Sequence, residues 1–383
     1  MTEKLLDKVL GCIIGAAIGD AVGGPVEFKS PEFTLSLLDG KEWVEDMIPY
    51  KGCRAHPLGV WVDDAPSGTG TDDTRLNHIF IECVIKNKGH VNPYLLALEY
   101  IYQYQNLEKV YPEKYWNLAE SFLRNPYMRS CAFLGINDPK IYRGLPLYVV
   151  RNPPGFPSLI GLISLQSAGL LYPNDPEKAY KKAYELSLIM DIGFAHDATA
   201  LLAATVSAAM GEIKDVDKLI ETAIKTNPFG LKNRRIIGSP PEYNFIGACH
   251  RIPTLLKFFE IADNSRNERE LMLRLARECE CLHPFDPLDC IGIALTVIRY
   301  HKGDPAHSIL TAANHRRVNE NGRLIRFRDV DCIAGVAGAI VGAINGLSSF
   351  PKEWVKNVIQ ANRRIYNIDI EKKARNFYKV VYQ

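Results

Sequence analysis

The chain has 383 residues, and its 46 lysine and arginine residues almost balance its 44 aspartate and glutamate residues, which leaves a formal charge of +2. So small a net charge produces no long-range field that would attract nucleic acid or an anionic membrane. With 47% hydrophobic and 23% charged residues, the composition is typical of a soluble globular protein and excludes a disordered, collagen-like or coiled-coil chain.

Cysteine content and apolar segments bear on the compartment. The nine cysteines are an odd number spread along a long chain, which predicts reduced thiols and a cytoplasmic protein rather than a disulfide framework. The apolar segment Val9 to Gly19 stops at Asp20 without a recognisable cleavage pattern, so no signal peptide is expected. A second apolar segment, Cys332 to Ile344, is shorter than the ~20 residues that a membrane-spanning helix needs.

Apolar residues recur at helical spacing along most of the chain, and long alternating strands are nearly absent. The pattern therefore predicts an all-α fold, a single compact multi-helix domain over residues 1–383. Turn-rich stretches at Arg151 to Ser158 and Gly238 to Glu242 predict loops between helices. The tyrosine-rich stretch from Tyr94 to Trp116 also holds leucine and alanine at helical spacing, which favours packing inside the protein over stacking on nucleic-acid bases.

Two predicted helices carry glycine at every fourth position. These glycines are Gly11, Gly15, Gly19 and Gly23 in the first helix, and Gly338 and Gly342 in the last glycine-rich helix. Because glycine costs about 1 kcal/mol in a helix interior, such stripes indicate backbones that pack closely against a neighbour. Both helices are expected at the centre of the fold.

The first glycine-rich helix ends in two acidic residues, Asp20 and Glu27, separated by a loop of glycine and proline. A buried carboxylate is costly unless it is paired or bound to a ligand. Both residues are therefore candidates for a functional site.

A second acidic pair, Asp72 and Asp73, opens an amphipathic helix and is flanked by Thr71 and Thr74. Thr71 or Asp72 is placed to cap this helix. Adjacent side chains on a helix diverge by about 100°, so each carboxylate could contact a different cation. A single aspartate would be explained by capping, whereas two acids flanked by threonines exceed what a cap needs.

A lone histidine, His196, precedes the almost wholly apolar helix from Ala198 to Met210. Histidines at helix starts are more often structural than functional, and the residues alone favour no functional role here.

The third acidic cluster, Asp329-Val330-Asp331-Cys332, comes directly before the last glycine-rich helix. In an extended segment residues i and i+2 point the same way, so the two aspartates are expected to converge. Carboxylate and threonine oxygens favour Mg²⁺, Ca²⁺ or Mn²⁺ over zinc. Two acid pairs at helix starts suit a binuclear site with ions ~3.5–4 Å apart.

Four segments in this order resemble the motifs of the ADP-ribosylglycohydrolase family over nearly the whole chain. They are GDAVGGPVE, GTDDT, a central histidine before an alanine-rich helix, and DVDCIAGVAGAIVGAINGL. The resemblance implies a single all-α domain that holds two divalent cations, Mg²⁺ or Mn²⁺, and cleaves a glycosidic bond of ADP-ribose. The implied partner is an ADP-ribosylated protein or a small ribosyl substrate, with no nucleic acid and no membrane.

The resemblance also implies roles for individual residues. Its metal ligands would be Thr71, Asp72, Asp73, Asp329 and Asp331. It places Glu27 in a loop at the substrate mouth and His196 near the bound ribose. Asp20 is assigned to the substrate-binding residues, and is expected to support the metal ligands rather than to join them.

Hydrolysis at C1′ of ribose passes through an oxocarbenium-like state and requires a positioned water and a group that deprotonates it. The candidate catalytic residues are Glu27, Asp72, Asp73 and Asp329, and the sequence leaves the choice of base open.

Three features depart from the family pattern. Cys332 stands where the family usually has threonine or serine, and a thiol is a poor ligand for Mg²⁺. The segment Ile163 to Ser167 lacks the arginine and proline of the family's Met-Arg-x-x-Pro motif. The connection from Asn314 to Asp329 is expanded.

The expanded connection contains the arginines Arg316, Arg317, Arg323, Arg326 and Arg328. Arg323 and Arg326 are the candidate substrate-binding residues, because a guanidinium can clamp a pyrophosphate through two hydrogen bonds. The alternative is that these arginines neutralise the acidic site or face solvent.

Two functions remain open at this point. One is a metal-dependent glycohydrolase that acts on ADP-ribosyl groups or a related ribosyl compound. The other is a family relative without turnover that binds ADP-ribose or has a structural role. Neither the acceptor, whether arginine, serine, a nucleobase or a small alcohol, nor the oligomeric state follows from the sequence.

Overall fold

The computed structural model describes residues 2–138, 157–231, 234, 236–237, 254–279 and 284–383. The loop predicted at Gly238 to Glu242 lies outside the described residues, as does all but the end of the loop predicted at Arg151 to Ser158. Within the described residues, no helix has both the length and the apolar character needed to cross a membrane.

Helices dominate the first half of the described chain. They are α1 (Thr2–Gly23), α2 (Pro31–Leu37), α3 (Asp72–Lys86), α4 (Pro93–Gln105), α5 (Leu107–Val110), α6 (Trp116–Leu134), α7 (Ile160–Ser164), α8 (Pro176–Ser187) and α9 (Ala195–Ala209), with short 3₁₀ turns at Glu113–Tyr115 and Ala168–Leu171.

The second half adds further helices and one hairpin. They are α10 (Val216–Lys225), α11 (Leu255–Asp263), α12 (Glu268–Glu278), α13 (Pro287–Tyr300), α14 (Pro305–Ala313), β1 (Arg316–Val318), β2 (Leu324–Phe327), α15 (Val330–Asn345), α16 (Lys352–Tyr366) and α17 (Ile370–Tyr382), with a 3₁₀ turn at Leu347–Ser349. The predicted all-α, compact multi-helix fold is confirmed.

The only strands in the described residues form an antiparallel hairpin within the expanded connection. Arg316 pairs with Phe327 and Val318 pairs with Leu324, with an irregularity between the two pairs. A two-stranded ribbon is marginally stable in isolation, so the hairpin depends on packing against its neighbours.

The glycine-rich helices α1 and α15 pack together at the centre of the core, as predicted. A Cβ atom at Gly11 would overlap the backbone of Gly342, and one at Gly15 would overlap the backbone of Gly338. Since Gly23 meets Val330 at the other end, the two helices run antiparallel. The C-terminal end of α1 therefore lies beside the N-terminal start of α15, which brings their acidic residues together.

The start of α15 corrects one prediction. Residues 329–331 were expected to be extended, whereas the helix begins at Val330 and Asp329 is its N-terminal flanking residue. Asp331 thus lies in the first helical turn. The acids still converge, but they do so because the helix start is packed against the end of α1 and not because strand geometry aligns them.

Candidate metal centre

Asp20 is a buried carboxylate that organises the start of α3. It accepts hydrogen bonds from the backbone N–H and the hydroxyl of Thr71 at 2.9–3.0 Å. It also accepts the backbone N–H of Thr74 at 3.0 Å and the Thr74 hydroxyl. Four donors occupy its oxygens and hold the start of the acidic motif in place. The roles predicted for Asp20, in substrate binding and in support of the metal ligands, remain predictions.

Thr71 is the N-cap of α3, and its hydroxyl oxygen accepts the backbone N–H of Asp73 at 3.4 Å. The same hydroxyl lies 3.2 Å from Oδ2 of Asp331. The positive ends of the α3 and α15 dipoles consequently point toward one set of carboxylates, which lowers the cost of gathering them.

Two groups of potential ligand atoms form where these helix ends meet. One consists of Glu27, Asp329 and Asp331, and the other of Asp73, Asp331 and Cys332. Within each group the ligand atoms lie within 4.8 Å of one another, and Asp331 belongs to both. The structure therefore brings together all the predicted carboxylate ligands except Asp72, which belongs to neither group but lines the adjacent cavity.

The carboxylates of the cluster disfavour one another's charge. Burial, followed by neighbouring acids, raises the pKa of Asp20 to about 6. Burial also raises the pKa of Asp72 to about 7, although the Arg75 guanidinium opposes this rise. For Asp73 and Asp329, burial and the Asp331 carboxylate hold the pKa well above the usual range.

The chemistry of this cluster fits divalent cations. Oδ1 of Asp73 and Oδ2 of Asp329 are buried and have no hydrogen-bond partner among the described residues. An orphaned buried carboxylate oxygen is unfavourable, and a cation bound between converging carboxylates would satisfy it and offset their repulsion. These side chains can thus hold metal ions, and most of the atoms that they offer as ligands are oxygens.

The cluster forms one wall of a cavity of about 820 Å³. Glu27, Thr71, Asp72, Asp329 and Asp331 all line it, whereas Asp73 does not. The opposite walls are largely apolar and come from α6 and α7 and from the aromatic pair Phe28 and Phe285, whose ring centroids are 5.7 Å apart. A volume of this size accommodates a nucleotide-sized ligand.

The basic side chains among the described lining residues are Lys29, Arg54 and His56. None of the three is among the site residues predicted from the sequence. The one feature of the sequence that could have indicated Arg54 and His56 is the turn-rich segment 51–59, which carries arginine and histidine shortly before the GTDDT motif. Arg54 is exposed and forms no ion pair with a described residue, so it is free to meet an anionic ligand.

Arg75, one turn into α3, holds the rim of this cavity in place. Its Nη2 donates to the backbone carbonyls of residues 57–59 at 2.9–3.3 Å. The guanidinium is buried among the rings of Trp61, Phe122 and Tyr366, with ring centroids 4.6–4.9 Å away. The backbone N–H of Asp72 donates to the Leu58 carbonyl at 2.9 Å, which ties the rim to the acidic motif.

His196 lies in the first turn of α9 and is not among the described residues that line the cavity. Its Nδ1 is 2.8 Å from the Ser187 hydroxyl, and its ring packs against Tyr184. Burial lowers the pKa of His196 to about 4, so the ring is neutral at physiological pH. Its predicted role near the ribose remains a prediction.

The hairpin arginines differ from the expected clamp, since neither Arg323 nor Arg326 lines the 820 Å³ cavity. Arg326 donates from Nε to the Phe28 carbonyl at 2.7 Å. Arg323 lines a separate, smaller cavity of about 440 Å³ beside Trp43. The backbone N–H of Phe327 donates to the Lys29 carbonyl at 3.3 Å, so the end of β2 lies beside the segment after Glu27. No residue of β2 is among the described residues that line the cavity.

Two other arginines of the connection are structural. Arg328 forms a buried ion pair with Asp289 at 2.7 Å, directly before Asp329 in the chain. Arg316 packs on the rings of Trp43 and Phe327. These contacts match the alternative that the arginines serve charge balance and packing.

Ser164 lies in the segment Ile163 to Ser167, where the resemblance leads one to expect an arginine that this sequence lacks. It is buried, and its hydroxyl donates to the Ile160 carbonyl at 2.6 Å. Ile163 lines the cavity instead, so this wall offers an apolar surface and no anion contact.

The chain matches one known protein family along almost its whole length. A family model described as ADP-ribosylglycohydrolase matches residues 1–381, so the chain belongs to the ADP-ribosylglycohydrolase family. A solved structure titled "ADP-ribosylglycohydrolase-related protein complex" superposes with a TM-score of 0.59 at 18% identity, covering 99% of each chain, and shows that the fold is shared. No curated protein sequence matches the chain at a significant level. Family membership supports a function of the glycohydrolase type.

Proposed function

We propose that the chain is a metal-dependent hydrolase that cleaves the glycosidic bond of ADP-ribosyl groups or of a related ribosyl compound. The observation that carries this proposal is the pair of ligand groups, joined by Asp331, on the wall of a nucleotide-sized cavity. The cysteines of the described residues are all free thiols, which supports a cytoplasmic location.

Asp73, Asp329 and Asp331, with the Thr71 hydroxyl and Asp72 beside them, would hold two divalent cations, Mg²⁺ or Mn²⁺, which leaves Glu27 free for another role. Bound there, the cations would supply Lewis acidity and orient a ribose diol and a water. Asp20 and the two threonines that it binds keep the start of α3 in place while substrate enters.

Glu27 is the candidate base that the geometry favours. It lines the cavity, and it is only partly buried, whereas Asp329 and Asp331 of the same group are buried. Burial and the neighbouring acids hold the pKa of Glu27 well above its usual range, which makes the carboxylate a stronger proton acceptor once it is ionised. Glu27 would take a proton from the attacking water as the bond to C1′ breaks.

Arg54 and Lys29 are the groups that would meet the phosphates of ADP-ribose. Both line the cavity, and neither is paired with a carboxylate in the described residues. Hydrogen bonds from a guanidinium to phosphate are charge-assisted and can be bidentate. They would replace the arginine that is missing at Ser164, and the partly apolar wall would receive the rest of the ligand.

The test is incubation of the purified protein with proteins ADP-ribosylated on arginine or on serine, and with free ribosyl compounds, in the presence of Mg²⁺ or Mn²⁺. Mass spectrometry should detect release of ADP-ribose or ribose from at least one substrate, and a Glu27→Gln variant should release none. Binding of ADP-ribose without any turnover would instead identify the chain as a catalytically inactive relative.

A further inference from the structure

We propose that the group formed by Asp73, Asp331 and Cys332 is a mixed carboxylate and thiolate site that selects a thiophilic divalent cation such as Zn²⁺ over Mg²⁺. This inference rests on the metal centre of the proposed function and specifies which cation one half of that centre takes. The two halves of the centre would then differ in metal preference.

The geometry aims the sulfur at the carboxylates. Sγ of Cys332 lies 3.2 Å from Oδ2 of Asp73, and both side chains are at most 4% exposed. Oδ1 of Asp331 accepts the backbone N–H of Cys332 at 2.8 Å, which fixes that carboxylate beside the thiol. Oδ1 of Asp73 is buried without a hydrogen-bond partner in the part of the chain that the structure describes, so this oxygen is available to a ligand.

The donor types distinguish the two groups. Glu27, Asp329 and Asp331 offer only carboxylate oxygens, which suit Mg²⁺ and Mn²⁺. The second group contributes sulfur, which Mg²⁺ avoids and which Zn²⁺ binds together with carboxylate oxygen. When a cation binds at the second group, Cys332 coordinates as the thiolate and its proton passes to solvent.

The competing explanation is that the Cys332 thiol only donates a hydrogen bond to Asp73 and that both cations are held by oxygen. The two explanations differ in what serine would do at this position. A serine hydroxyl can donate the same hydrogen bond, but it removes the sulfur ligand. If sulfur binds metal, Cys332→Ser should therefore change metal preference without removing the site.

The experiment titrates the full-length, chelator-treated protein with Cd²⁺, a thiophilic probe, and follows the sulfur-to-cadmium charge-transfer band in the ultraviolet. The wild-type protein should show a saturable band at one equivalent of Cd²⁺. Cys332→Ser should lose that band, while Cys53→Ser, the same exchange at a cavity-lining cysteine outside both groups, should keep it. Calorimetry should show the ratio of Zn²⁺ to Mg²⁺ affinity falling by at least about tenfold in Cys332→Ser.

Two results would overturn the proposal. The first is a wild-type protein that binds Mg²⁺ or Mn²⁺ but shows no charge-transfer band with Cd²⁺, a result that needs no variant and leaves the proposed glycohydrolase function intact. The second is a band that persists in Cys332→Ser. Failure of every divalent cation to bind would remove the metal centre itself, and with it both this inference and the metal dependence proposed above.

Discussion

The buried carboxylate cluster and the arginine-rich hairpin are both dense in charge, yet they are built in opposite ways. The carboxylates sit at or near the ends of α1, α3 and α15. Backbone contact through glycine holds α1 against α15, and hydrogen bonds to Asp20 hold the start of α3. Three arginines in or directly after the hairpin have partners of different kinds: Arg326 reaches a carbonyl, Arg316 a ring and Arg328 an acid. Like charges on helix ends in a packed core are held in unfavourable proximity, whereas these arginines each contact a group that stabilises the guanidinium.

The comparison predicts the largest loss of function at the cluster. Replacing Asp329 or Asp73 by Asn removes a charged oxygen from the centre, so divalent-ion affinity should fall by about 100-fold or more and turnover should be abolished. Calorimetric titration and an activity assay measure both effects. Asp63→Asn is the matched control, because that exposed carboxylate accepts the Ala55 backbone N–H at 2.7 Å and an amide oxygen can do the same. Full activity in both cluster variants would remove the cluster from the mechanism.

The glycine contact that assembles the cluster should be sensitive to a single methyl group. In Gly15→Ala the new Cβ would overlap the Gly338 backbone, which cannot rotate away as a side chain would. The free energy of unfolding should fall by about 3 kcal/mol. Urea denaturation measures the change, and Gly59→Ala, whose Cβ would meet its nearest atom at an ordinary 3.6 Å, should change stability much less. Equal effects would show that close helix packing does not hold the acids together.

The clustered acids should make the metal-free protein less stable as pH rises. Burial raises the pKa values of Asp20 and Asp72 to about 6 and about 7 from the ordinary aspartate value of 3.8, so between pH 4 and 7 the native state binds more protons than the unfolded chain. Their stabilising effect is present at low pH and is lost as pH rises through 6 and 7. The melting temperature in chelator should therefore be lower at pH 8 than at pH 5.

Two controls accompany this pH comparison. Added Mn²⁺ should raise the melting temperature more at pH 8 than at pH 5, because bound cations replace the missing protons. Asp72→Asn should flatten the pH dependence in chelator. A metal-free protein that is equally stable at both pH values would mean that the carboxylates do not repel one another in the native state.

The cavity and the hairpin should also differ in how much their arginines contribute to substrate binding. Arg54→Ala should weaken ADP-ribose binding by ~1.5–3 kcal/mol, the range for a hydrogen bond to a charged group, and leave ribose binding unchanged. Arg323→Ala should leave ADP-ribose binding unchanged, since Arg323 does not line the same cavity. Calorimetry at two salt concentrations tests both variants. If Arg323→Ala weakened ADP-ribose binding and Arg54→Ala did not, the hairpin would be the phosphate clamp after all.

The smallest effect is expected at Arg326, whose described contact is structural. Arg326→Ala removes the hydrogen bond to the Phe28 carbonyl and should cost about 1 kcal/mol of stability. Denaturation measures this cost, and Arg326→Lys should recover only part of it because lysine lacks the planar guanidinium. A large drop in ADP-ribose affinity in Arg326→Ala, with unchanged stability, would show that the side chain reaches the ligand.

The helix ends that carry the carboxylates could be predicted from the sequence, whereas the partners of the hairpin and loop residues could not. Glycine at every fourth position implies close helix packing, and Thr71 with its acids implies a capped helix start, because both depend on local chain geometry. The extended form expected at Asp329 to Asp331 was wrong because the start of a helix is decided by what it packs against. Lys29 and Arg54 could not be located, since loop residues join a cavity only through tertiary contacts.

The roles of the hairpin arginines were the hardest to predict from the sequence. Five arginines in one connection are compatible with a clamp, with charge balance or with packing, and only the three-dimensional partners distinguish these uses. Arg328 pairs with Asp289, which lies on the earlier helix α13. Arg316 packs on the ring of Trp43, which lies much earlier in the chain. Such pairings have no periodicity, so no sequence pattern predicts them.

Electron paramagnetic resonance of the Mn²⁺-loaded wild-type protein tests the central claim most directly, because it reports whether two ions share one centre. The structure joins its two ligand groups through Asp331, so bound Mn²⁺ should give the spectrum of a spin-coupled pair, and Asp331→Asn should abolish the coupling. A single uncoupled ion at saturating Mn²⁺, or no specific Mn²⁺ binding, would contradict the account.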